Sequence, residues 1–246
     1  MQEFRGLKNR IRAWFARRIT GRFPEETRAT PPAGVRRRAA RDRRRNAAFP
    51  EIRDYIGLQG GGGKADRLHF GPARMSFCGC EVIAAYNARL ALGAWQDVRQ
   101  VASELYARGA VLGGLLGVRP DAVAAYFVRH GFPVRFEVFS RKGRDAAGMP
   151  GDAGHAIPEG HVELLTFWNS PKAWTIHTVM IKPEESGGFR VYNMHSDALS
   201  TVYASYGSIL RSPGREIVPI ARITVGPGEA SPELREAGQD HPGAGA

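Results

Sequence analysis

The 246-residue chain is 43% hydrophobic and 24% charged, enough apolar content for one sizeable core or two small ones. Its two cysteines stand one residue apart, which excludes an internal disulfide. No run approaches the ~18 apolar residues a membrane-crossing helix needs, and the opening residues lack the apolar stretch and cleavage site of a secretory signal.

The net charge of +11 belongs to residues 1–48, which hold 15 of the 35 Lys and Arg against 4 of the 24 Asp and Glu. The remainder is neutral, so composition predicts a basic arm over 1–48, a folded domain over 49–225 and a disordered tail over 226–246. Unbridged thiols fit a reducing, cytoplasmic setting.

In chain order, Phe4, Leu7, Ile11, Trp14, Phe15 and Ile19 recur at helical spacing among Arg and Lys, predicting a basic amphipathic helix. Such a helix suits an anionic membrane surface, which would place the protein at the membrane periphery, or an acidic partner; its apolar stripe could equally fold back on the main domain. Pro24 to Ala48 is Pro-rich, then Arg-rich, and reads as disordered. Nucleic acid is the weaker expectation for this arm, because no recognised nucleic-acid module accompanies it. Gly60–Gly63 and Lys64 are followed by Ala65 rather than Ser or Thr, so they form a loop and not a phosphate cradle.

A helix begins at Cys80, with Val82, Ile83, Tyr86 and Leu90 as its apolar stripe and a stop at Gly93. A thiol at that position faces unpaired N–H groups and the positive end of the helix dipole, which favour the thiolate. A small apolar residue tucked under a helix is the plainer role for such a cysteine. Further helices are expected over about Gln96–Arg108 and from Pro120 to Gly131. The period then changes to two. Strands are predicted around Val134–Val138, Val162–Phe167, Ile176–Ile181, Phe189–Tyr192 and Glu216–Val225, with a long loop over 141–160 and one more helix over Ser200–Leu210. Helices first and strands afterwards imply an α+β domain with an antiparallel sheet.

The segment Pro183-Glu184-Glu185-Ser186-Gly187-Gly188 has the composition of a hairpin turn. Centred on Glu185, it sets Asn193 directly opposite His177, with both side chains on one face. A slip of one residue would undo the match. An imidazole can hold a thiol's proton and return it to a leaving amine. A carboxamide can fix the imidazole's tautomer without adding charge. Cys80, His177 and Asn193 supply these parts in that order. Cys78 is the weaker nucleophile candidate, because it precedes the helix. A Cys-x-Cys metal site lacks a second ligand pair at zinc spacing, so neither metal nor cofactor is expected.

The runs Cys-Glu-Val-Ile-Ala-Ala-Tyr-Asn-Ala, Val-Leu-Gly-Gly-Leu-Leu-Gly-Val-Arg-Pro, Ile-His-Thr-Val and Val-Tyr-Asn resemble papain-like cysteine peptidases. The nearest branch is the bacterial one that includes bacteriocin-leader-processing peptidases, and the likeness covers roughly residues 70–225. The resemblance implies a papain-like fold in which Cys80 is the nucleophile, His177 the base and Asn193 the orienting residue, acting on a peptide or protein through an acyl-enzyme. Relatives carry Gln six residues before the nucleophile, where it binds the oxyanion; here Arg74 stands there. Ser76, Arg74 and Gln59 are the candidates for that donor, whose loss typically costs ~10²–10³ in rate. The alternative reading is an inactive papain-like domain that binds a peptide or protein and is tethered by its arm.

Overall fold

The computed structural model describes residues 31–139, 155–168, 176–194, 199–211 and 217–228. The amphipathic stretch 2–19, most of the loop 141–160 and the tail beyond 228 lie outside them.

The described chain is α+β. Helices α1 (Ala33–Asn46), α2 (Met75–Cys78), α3 (Cys80–Ala91), α4 (Val98–Gly109) and α5 (Pro120–Arg129) precede the main sheet. A small hairpin of β1 (His69–Phe70) and β2 (Ala73–Arg74) leads into α2. The six strands of the main sheet are β3 (Val134–Val138), β4 (Val162–Trp168), β5 (Ile176–Pro183), β6 (Phe189–Tyr192), β7 (Ser200–Tyr203) and β8 (Val218–Val225). They lie side by side in the order β3-β8-β4-β5-β6-β7, and each pair is antiparallel. Helix α6 (Tyr206–Leu210) follows β7.

Alternation along the strands divides the apolar residues between two cores. Leu164, Met180, Tyr192 and Ile223 join the helices in one. Leu165, Phe167, Val179, Ile181 and Val191 join Ile157 and α6 in the other. β4 has neighbours on both edges and cover on both faces, so Val162 to Phe167 are all buried.

α3 is the centre of the first core. The expected single apolar stripe understates it: every residue from Cys80 to Ala88 is buried, because β5 and β4 pack on one side and α4, α5 and residues 52–56 on the others. Asn87 clamps one of these walls. Its Oδ1 accepts the Ile56 N–H at 2.9 Å and its Nδ2 donates to the Ile56 carbonyl at 2.8 Å. Asn87→Leu keeps the volume and orphans both backbone groups, so about 2 kcal/mol of stability should be lost. A fall in the urea midpoint at unchanged slope would register it.

Two expectations are corrected. Residues 33–46 form a docked helix rather than a disordered arm. Arg and Ala are good helix formers, and polar anchors add to the small apolar contacts of Val35 and Ala39. Asn46 exchanges two hydrogen bonds with His69, at 2.9 and 2.8 Å, and Asp42 accepts the Gly71 N–H at 2.7 Å. The helix is therefore part of the folded body, and the boundary near Phe49 is one of composition alone. Residues 200–210 begin as edge strand β7 and become helical only at Tyr206, where Ser205 supplies a capping box.

Among the described residues, no helix is long and apolar enough to cross a membrane.

Candidate functional site

α2 and α3 meet at Gly79, where a side chain has no room: a Cβ would lie 2.1 Å from the Met75 sulfur and 2.7 Å from its carbonyl oxygen. This tight join delivers Cys80 as the first residue of α3, as expected. The backbone N–H of Thr178 on β5 faces its sulfur closely enough to act on its pKa. Thr178 lies two residues beyond Met180↔Tyr192, the last β5–β6 pair, so β6 makes no claim on that N–H. The sulfur thus sits against the open edge of β5.

The expected register is corrected. Met180 faces Tyr192 and Pro183 faces Phe189, which centres the hairpin one residue later and sets Asn193 level with Val179. His177 and Asn193 become diagonal neighbours on one face instead of direct partners. The ring still reaches the end of β6: His177 Nε2 donates to the backbone carbonyl of Asn193 at 2.5 Å. A carbonyl only accepts, so Nε2 carries the proton and Nδ1 the lone pair of the neutral imidazole. The group that fixes the tautomer is therefore the Asn193 main chain, in place of the expected side-chain amide. Its direction follows from a left-handed backbone, φ +63°, which asparagine tolerates better than most residues.

The Asn193 side chain turns to Gln59 instead, its Nδ2 donating to Oε1 at 3.4 Å. Gln59 in turn donates to the Met75 carbonyl at 3.2 Å. Tyr55 stacks on Tyr192 with ring centres 4.5 Å apart, which holds the Gln59 segment along the end of β6. Of the three oxyanion candidates, Gln59 is the one bonded into the site. Arg74 pairs with His69 in the β1–β2 hairpin and is exposed, and Ser76 is half-buried in α2.

By strand alternation His177 shares the side of Phe167, whose ring meets it edge-on at 5.7 Å, whereas α3 packs on the side of Met180. His177 thus stands on the face of the sheet opposite α3, next in sequence to the Thr178 whose N–H faces the sulfur.

The electrostatics reverse the expected thiolate. Burial pushes the Cys80 thiol well above its ordinary value, the neighbouring Glu81 charge adds to this, and the N–H bonds of Thr178 and Glu81 oppose it without prevailing. Cys80 is neutral at rest. Cys78 is pushed up to about 12, by burial first and then by Glu81 and Asp42. Its thiol leans on the Phe70 and Arg74 carbonyls at 3.7 and 3.5 Å, a structural position.

Glu81 escaped the sequence reading. It is wholly buried, and neither carboxyl oxygen has a hydrogen bond of ordinary geometry among the described residues. Burial raises its pKa to about 7, restrained by its own N–H, the Cys80 thiol and the Val118 N–H. The carboxyl fills the space over Gly117, where a Cβ would come within 2.6 Å of Oε2. An acid one position after a candidate nucleophile, on a helix buried all round, was the available signal. Among the described residues no cluster suited to a metal ion occurs.

No protein family's sequence profile matches this chain, and no curated protein matches it either.

Proposed function

We propose that the chain is a thiol hydrolase of papain-like type that cleaves peptide or related amide bonds. The supporting observation is that His177 Nε2–H is committed to the Asn193 carbonyl while the Cys80 sulfur opens α3 facing the N–H of the next residue, Thr178. Because the thiol is neutral at rest, His177 Nδ1 takes its proton as the sulfur attacks the substrate carbonyl, acting as general base. The S–C bond forms and the C–N bond breaks, with the imidazolium protonating the leaving amine. Water, deprotonated by the same ring, then hydrolyses the thioester. The Cys80 backbone N–H is one donor for the oxyanion, and Gln59 supplies the second once it gives up the Met75 carbonyl.

The second reading, a papain-like domain that binds without cleaving, is favoured by the raised thiol and by the present engagement of Gln59. Alkylation with iodoacetamide near pH 7.5, mapped by mass spectrometry, separates the two. Hydrolysis predicts that Cys80 labels before Cys78 and that His177→Ala slows Cys80 by roughly tenfold or more. Labelling of Cys80 that is indifferent to His177 would sink the hydrolase reading.

A further inference from the structure

From the arginines of α1 we infer a docking surface for double-stranded nucleic acid, independent of the thiol chemistry. Arg36, Arg37, Arg38, Arg41, Arg43, Arg44 and Arg45 are all exposed. None of them has an ion-pair partner among the described residues. Asp42, the helix's lone acid, is turned inward onto Gly71, and on this helix it acts only on Arg41 and Arg45 among the arginines.

At 3.6 residues per turn the seven guanidiniums sweep about 220° of the circumference, and the 14-residue helix is about 21 Å long. The remaining arc carries the buried Ala39, Asp42 and Asn46. A flat lipid surface could meet only one side of such a belt, and the exposed side offers no large apolar residue to enter the acyl region. A groove walled by phosphates on both sides meets all of it. The major groove is about 12 Å wide, matching the helix diameter of about 10–12 Å. Arginine forks suit phosphate oxygens. The cationic surface continues past the helix into a cleft of about 380 Å³ lined by Val35, Arg38, Tyr106, Arg108 and Gly113. These contacts go to the backbone, so affinity should be high in charge and poor in sequence preference.

The test uses the full chain and a mixed-sequence 20-base-pair DNA duplex, followed by fluorescence anisotropy across a salt series. The variant Arg36→Gln/Arg37→Gln/Arg43→Gln/Arg44→Gln retains helix propensity and should keep the parent's urea midpoint. It should bind the duplex roughly tenfold or more weakly at 100 mM salt, with a salt slope shallower by about 3 to 4. Equal affinity and slope for parent and variant would overturn the assignment. So would a parent that ignores the duplex while binding vesicles of three parts phosphatidylcholine to one of phosphatidylserine, or an acidic polypeptide such as polyglutamate.

Discussion

Glu81→Gln should stabilise the protein at alkaline pH by about 3 kcal/mol and leave its stability nearly unchanged in acid. The wholly buried carboxyl holds its proton up to about pH 7 in the folded chain, against an ordinary value of 4.5. In the unfolded chain the proton is released near the lower value. The stability linked to the protonated acid is therefore complete below about 4.5 and drains away as pH rises through about 7. An amide mimics the neutral acid and does not ionise, so the variant escapes the loss. Urea midpoints of parent and variant at pH 4, 6 and 8 would follow the difference; one that stays constant with pH refutes the account. The same change removes the charge that raises the Cys80 thiol. Alkylation of Cys80 should accordingly quicken above pH 7 and not below it.

Glu163→Ala should cost about 3 to 5 kcal/mol. Glu163 is wholly buried on the face of the sheet away from α3. It meets His155 Nε2 at 2.8 Å and accepts from the Tyr206 hydroxyl, and Arg222 Nε stands 3.9 Å away. Its removal orphans the buried tyrosine hydroxyl and leaves Arg222 with Glu137, which solvent reaches, as its only acidic partner beside the His155 ring among the described residues. Glu163→Leu combined with Arg222→Met should recover the part of the loss that comes from the unmatched charge, while the part from the unpaired Tyr206 hydroxyl remains. Urea titration of the single and double variants would show this. A single-variant loss below about 1 kcal/mol would mean the cluster behaves as an exposed ion pair.

Elements whose apolar spacing is driven by core packing were legible. Val98–Gly109, Pro120–Arg129 and Val134–Val138 fall close to the positions their periodicity predicts. α1 was not, because its inner face carries only Val35 and Ala39 as apolar residues beside Asp42 and Asn46, which bond to the β1–β2 hairpin more than 20 residues away. β7 was hidden by its shortness and by its place at the sheet edge. The hairpin register escaped because Gly187 and Gly188 both take positive φ, 90° and 82°, and so extend the turn on one side. The proximity of His177 to Asn193 was visible in the residue pattern, whereas the use of a carbonyl instead of a carboxamide was not. That choice depends on one backbone angle. Glu81 was passed over because an acid in a first turn normally faces water and the helix dipole.

β6 stops at Tyr192, where Asn193 bends away. Were the ladder to run two residues further, Met194 would fall beside Thr178 and its carbonyl could capture the amide hydrogen. Sheet length and sulfur chemistry thus compete for a single proton donor. A short strand here leaves that amide facing the sulfur instead of a neighbouring strand.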